Sequence, residues 1–185
     1  MPFAVTHVLL TIIIVGLYRD YVATHKKYFT LYTVLIAGIG GLLPDLDVPL
    51  NWLLNKFGYS FELLEHGGIT HTPFFGVLFL IPAVILLWKK KHIWSMYLFV
   101  VSFGIFFHIF LDYLLGGGMI TGIMFFWPFS AMGYKIHLMD KIGLDNLPAA
   151  LDAVILLLWL YYEETRHKIR DFVKKNKHTN LTQAL

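Results

Sequence analysis

The chain has 185 residues, 57% of them hydrophobic and 17% aromatic, with a mean hydropathy of +0.65. A soluble domain of this length needs more polar surface, so the composition excludes an ordinary globular enzyme and points to a membrane protein. There are 15 Lys and Arg against 12 Asp and Glu, and no cysteine, which excludes a disulfide framework and a thiolate metal site.

Five apolar segments qualify as spans. They run about Phe3 to Tyr18, Phe29 to Leu43, Pro73 to Trp88, Ile93 to Leu115 and Leu147 to Tyr162. The first lacks a basic leader and a small-residue cleavage site, so it reads as a retained span rather than a signal peptide. Several are near the short limit for a hydrocarbon core about 30 Å thick. Backbone groups in lipid must be satisfied within the chain, so the spans should be helices, with Pro82 kinking the third. The expected fold is all-α: a polytopic membrane helix bundle of about five transmembrane helices. Two outer connections are expected to be interfacial or re-entrant.

Lys and Arg set the orientation. All of them except Lys56, Lys135 and Lys141 fall in the first connection, after the third span or after the fifth. With five spans these segments share one side, the cytoplasm, which places the amino terminus outside and the carboxyl terminus inside. The two connections on the other side differ in character. Asn51 to Leu64 is rich in aromatic and aliphatic residues and should lie along the membrane surface. Met119 to Tyr134 contains Phe125-Phe126-Trp127-Pro128-Phe129 and reads as re-entrant or interfacial, with a sixth span disfavoured by the charge rule. Gly38, Gly40 and Gly41 suit close helix contact. The chain divides into a membrane-embedded domain, 1–165, and a basic cytoplasmic tail, 166–185, suited to anionic lipid.

The ionisable groups in or beside the spans then fall at the outer ends. His7 is about one turn into the first span, and Asp45 and Asp47 follow the second. His66 and His71 lie in the first outer connection. His108 and Asp112, four apart on one helix face, close the fourth span. Asp152 starts the fifth, where a helix–helix or second-layer hydrogen bond is the simplest reading. Taken singly, His7 reads as a packing residue, Asp45 as a turn former after Pro44, and His108 with Asp112 as an intrahelical pair. Buried charges near lipid need partners, and a divalent cation neutralises several carboxylates together. His and Asp suit zinc, and also manganese or iron. His137 is a possible substrate contact. His25, His92, His167 and His178 lie in or near basic segments and read as solvated.

This set resembles the YdjM family of predicted membrane-bound metal-dependent hydrolases. The matching elements are Thr6-His7, Leu43-Pro44-Asp45-Leu46-Asp47, His66 with Thr70-His71-Thr72, His108-Ile109-Phe110-Leu111-Asp112, and Trp127-Pro128-Phe129. The family is thought to be distantly similar to zinc-dependent phospholipase C, whose clustered His and Asp hold several zinc ions. The resemblance implies one to three metal ions and hydrolysis of a phosphate ester. Where the family commonly has Arg after the first His of the His66 element, this chain has Gly67, which removes a phosphate clamp.

The expected site joins Asp45, His71, His108 and Asp112 at one metal. Asp112 would bridge to a second metal at His7, completed by Asp47 or His66. Asp47 or His66 is alternatively the general base for a metal-activated water. The partners would be membrane lipid and a lipid-like or phosphodiester substrate, its apolar part held near Trp52 and Trp127. Nucleic acid is not expected, because the basic residues lie on the opposite side. Two other classes stay open. One is a metal-binding or metal-transport protein without hydrolysis, with transport opposed by the few polar groups (Thr11, Thr33, Ser102) on the inner half. The other is a phospho-histidine lipid phosphatase, opposed by Ser102 where that family has Arg.

Overall fold

A computed structural model describes residues 4–23, 28–59, 61, 66–115, 122–136, 138–141 and 150–167. The helices are α1 (Ala4–Tyr21), α2 (Leu31–Leu42), α3 (Asp47–Lys56), α4 (Pro73–Trp88), α5 (His92–Leu115), α6 (Leu138–Lys141) and α7 (Ala150–His167). Single 3-10 turns, Pro44–Leu46 and Ile69–His71, precede α3 and α4. Among the described residues the fold is all-α, with one isolated antiparallel bridge between Ile123 and Tyr134. The chain forms two compact units, Met1–Leu147 and Pro148–Leu185. The second unit contributes α7, with Asp152 in its first turn.

Local chemistry sets the helix ends that matter for the site. Thr30 caps α2 in an extended conformation and exchanges a capping-box contact with Thr33. Pro44 follows the end of α2 and starts the 3-10 turn that carries Asp45, because its ring removes a backbone donor. Pro73 opens α4 at the first helical position, where its missing N–H costs nothing, and Thr72 before it is extended. α4 is unbroken through Pro82.

α5 is the central helix of the first unit. It packs on α2 and on α4, α2 packs on α1, and α1 also reaches α5. One apolar cluster centres on Val101, Ile105, Ile109 and Ile123; a second joins Val15, Val34, Ala37 and Val100. The α2–α5 crossing is made by glycines. A Cβ on Gly104 would lie 2.5 Å from the Ala37 carbonyl oxygen and 2.6 Å from the Gly41 nitrogen. One on Gly40 would lie 2.5 Å from the Val101 oxygen. Small residues thus let the two backbones touch. Ser95 and Ser102 tie α5 to α4 by donating to the carbonyls of Ala83 and Gly76 at 2.8 and 3.0 Å.

The surface is apolar and the interior holds polar groups. Leu35, Ile39, Ile81, Ile85 and Phe110 are exposed, while His7, Thr11, Ser102, His108 and Asp112 are buried. This polarity suits a lipid solvent. α1 and α5 are long and apolar enough to cross a membrane, and the bent pair Leu31–Leu42 with Pro44–Lys56 is a third candidate. The expected five spans are therefore met only in part. α4, at 16 residues, is apolar but short. The sequence count treated every continuous apolar run as a full crossing, whereas α2 and α4, at 12 and 16 residues, are each short for one.

The two outer connections have distinct forms. α3 begins the first and exposes Leu50, Trp52 and Leu53. The ammonium of Lys56 lies 5.5 Å from the Trp52 ring centroid. In the second, residues 122–136 contain no helix. They form a hairpin-like turn closed by paired Ile123–Tyr134 hydrogen bonds at 2.9 and 3.0 Å. Its Trp127–Pro128 bond is cis, and the Trp127 ring meets Phe74 at the start of α4. A helical sixth span is thus absent from this stretch. The tail beyond residue 167 and His137 lie outside the described residues.

Candidate metal centre

The antiparallel order brings the start of α1, the end of α2, the start of α4 and the end of α5 to the same end of the first unit. Their polar side chains meet there. On α5, His108 Nε2 lies 3.2 Å from Asp112 Oδ2, as a spacing of four on one face requires. His7 Nε2 of α1 lies 3.2 Å from the other oxygen, Asp112 Oδ1. The His7 and His108 rings stack at 3.9 Å between centroids. From the 3-10 turn after α2, Asp45 Oδ1 stands 3.6 Å from both His71 Nε2 and His108 Nε2. His71 Nε2 is 3.7 Å from Asp112 Oδ2.

Two nitrogens and two oxygens from three segments therefore face one another. Their N···O separations are 3.2, 3.6, 3.6 and 3.7 Å. A tetrahedral ion with bonds of about 2.0–2.1 Å needs ligand atoms about 3.3–3.4 Å apart. The four N···O separations are close to that value, and three of them are too long for direct hydrogen bonds. Both Nε2 atoms are buried and make no hydrogen bond. An orphaned buried nitrogen is costly, and a cation removes that cost. The groups His7–His108–Asp112 and Asp45–His66–His71 each have the donor types and spacing that can hold a metal ion.

The layer behind these donors fixes their tautomers. His108 Nδ1 donates to the Gly41 carbonyl at 2.7 Å. That oxygen can only accept, so in the neutral ring Nε2 presents its lone pair. Asp47 does the same for two rings. Its Oδ1 is 3.2 Å from His66 Nδ1, and its Oδ2 is 3.2 Å from His71 Nδ1. Thr70 Oγ1 donates to Asp47 Oδ2 at 3.1 Å and sits 3.0 Å from His71 Nδ1. Carboxylates behind metal-binding imidazoles orient them and raise their basicity.

Asp47 thus stands on the far side of His71 from Asp45 and Asp112, with both oxygens engaged. His66 groups with Asp45 and His71, not with His7. The arrangement joins Asp45, His71, His108 and Asp112, with His7 on the second oxygen of Asp112. It does not bring Asp47 or His66 to His7, where a second metal was expected. Spacing along the chain did not single out Thr70 or the Gly41 carbonyl. The Thr-His pair at 70–71 was the available signal for the first, and a backbone carbonyl leaves none.

His71 has an elevated affinity for a proton. Burial pulls its pKa down, but the facing carboxylates of Asp45 and then Asp47 outweigh this and raise it to about 9.

The opening is on one side. The side chains of His66 and Asp45 are 28% and 17% exposed, against 0% for His71 and His108. Beside His66, Gly67 has φ +94°, the left-handed region that glycine tolerates and other residues rarely adopt. The place of the expected Arg is thus a turn built for glycine.

These features define an all-helical membrane protein with a buried His/Asp centre at one end of its helix unit. The model of the YdjM inner membrane protein family matches residues 1–176, and the chain belongs to that family. Neither a curated protein nor a solved structure matches it.

Proposed function

We propose that the protein is a membrane-bound metal-dependent hydrolase that cleaves a phosphate ester of a lipid or cell-surface substrate at the membrane–water boundary. The observation that carries the reading is the buried, unbonded pair of Nε2 atoms on His71 and His108, facing Asp45 and Asp112 at 3.2, 3.6, 3.6 and 3.7 Å. Asp45, His71, His108 and Asp112 would hold the ion, zinc first and manganese or iron next. His7 on Asp112 Oδ1 offers the start of a second position. The metal would supply Lewis acidity toward a phosphoryl oxygen and bring a water's pKa toward neutrality.

The chain's own groups do the rest. Asp47 fixes the tautomers of His66 and His71. His66, the most exposed imidazole of the set, takes a proton at the open side and returns it to the leaving group. The apolar side chains of α3 and of the 122–136 turn keep the opening at a lipid surface. With Gly67 in place of Arg, no side chain at that position would clamp the phosphate. With five spans, the charge rule would put this end outside the cell.

Hydrolysis of phosphodiester lipid analogues in micelles tests the proposal. Activity should vanish in chelator-stripped protein and return with zinc. Equal activity without metal would sink it. A protein that holds zinc firmly yet cleaves none of a panel of phosphate esters would instead support metal binding without hydrolysis.

Asp47→Asn should lower metal affinity by about 10–100-fold, the range typical of second-layer partners. An amide can still accept at one position, but it no longer favours Nδ1–H on both rings. Competition with a zinc-sensitive dye measures the loss. Unchanged affinity would remove Asp47 from the centre's support.

Metal binding should also depend on pH. The His71 pKa is raised from 6.5 to about 9, so in metal-free protein its ion pairs stabilise the fold fully below 6.5 and fade as pH rises through about 9. Metal must displace that proton. Affinity should therefore fall about tenfold for each pH unit below this value while one proton is released. Calorimetry in two buffers of different ionisation enthalpy counts the proton, and zero release contradicts the assignment.

A further inference from the structure

We propose that a groove at the Lys89–Lys91 end of the first unit binds an anionic phospholipid, with an acyl chain along the groove and the phosphate at the lysines. The groove has a volume of about 510 Å³. Its floor is apolar, from Ile36 of α2, Leu86 of α4, and Leu98 and Val101 of α5. Lys91, Trp94 and Tyr97 complete its lining. Its size lies within the about 300–1,000 Å³ of small-molecule sites, and its mostly apolar lining suits a lipid chain.

Charge selects the occupant. Lys91 is the one charged group in the lining, and Lys89, Lys90 and His92 adjoin it, all exposed. The chain turns sharply here, with Lys90 at φ +55°, so the three lysines share one short connection. Among the described residues, no acidic side chain lies in the lining. Trp94 is 65% exposed. An indole one turn from a lysine cluster is the usual arrangement at a head-group boundary. A neutral lipid satisfies the floor but leaves the lysines without a counterion, whereas a phosphatidylglycerol-type lipid satisfies both.

This site is separate from the metal centre. Trp94 and His108 are on one helix, roughly 20 Å apart at 1.5 Å per residue. Loss of either need not disturb the other.

Quenching of Trp94 tests the inference in full-length protein held in nanodiscs. The probes are brominated-chain phosphatidylglycerol and brominated-chain phosphatidylcholine. The signal is the difference between wild type and Trp94→Phe, which isolates this indole from the other tryptophans. Phosphatidylglycerol should quench at a mole fraction at least about fivefold lower than phosphatidylcholine, the effect of a single lysine at an anionic head group. The triple variant Lys89→Gln, Lys90→Gln, Lys91→Gln should erase that preference and leave quenching by phosphatidylcholine unchanged. Leu98→Trp in the Trp94→Phe background gives a second reporter on the groove floor and should show the same preference. Equal quenching by the two lipids overturns the proposal, as does a preference that survives the triple substitution. So does absence of quenching by both, which means that protein covers the groove.

Discussion

Asp112→Asn should purify without bound metal and without hydrolytic activity, while keeping its helix content. This carboxylate is the most shared group of the centre. Oδ2 faces His108 at 3.2 Å and His71 at 3.7 Å, and Oδ1 faces His7 at 3.2 Å. An amide keeps one oxygen and replaces the other with a donor. Whichever way it turns, it loses either the place beside His71 and His108 or the link to His7. It also removes one negative charge from a buried set that needs a cation. Metal affinity should fall by more than about a hundredfold, beyond the effect of a second-layer change. Elemental analysis of purified wild type and variant decides the matter. Wild-type metal content in the variant would falsify the assignment of Asp112 as a ligand. His71→Gln supplies a check from a different segment and should lose metal in the same way.

Gly104→Ala should separate α2 from α5 and disable the centre from a distance. The added methyl would stand 2.5 Å from the Ala37 oxygen and 2.6 Å from the Gly41 nitrogen. Both obstacles are backbone, so no side-chain rotation relieves them. Overpacking of this kind costs about 1–3 kcal/mol. The displaced strip of α2 includes Gly41, whose carbonyl holds His108 Nδ1 at 2.7 Å. One substitution thus lowers the thermal midpoint in detergent and weakens zinc binding. Gly58→Ala is the control for helix packing. That glycine has open space at its Cβ, and its φ of +80° confines the expected cost to the loop after α3. A Gly104→Ala protein with unchanged midpoint and zinc affinity would show that the helices can yield here.

Much of the architecture was legible because lipid imposes a simple rule. Long apolar runs had to be helices, and α4 and α5 begin and end within a residue of the expected limits. The number of crossings was less legible, since hydropathy cannot tell a 12-residue helix that ends before Pro44 from a complete span. The Met119–Tyr134 segment was ambiguous for a related reason. Its aromatic content suits a span, but hairpin pairing between Ile123 and Tyr134 depends on backbone contacts that apolarity does not encode.

The centre divides along the same line. By itself the sequence determined which residue types were available and that they gathered at one end, because helices of alternating direction carry His7, Asp45, His71 and His108–Asp112 near matching termini. Only the tertiary structure decided their separate positions. Asp45 and Asp47 are two residues apart, yet the turn after Pro44 sends Asp45 to the Nε2 side of His71 and Asp47 to its Nδ1 side. A rigid imidazole has two nitrogens pointing apart. Which carboxylate joins the donor set and which steadies the ring from behind is set by the packing of α2 against α5, through glycines that let the backbones touch.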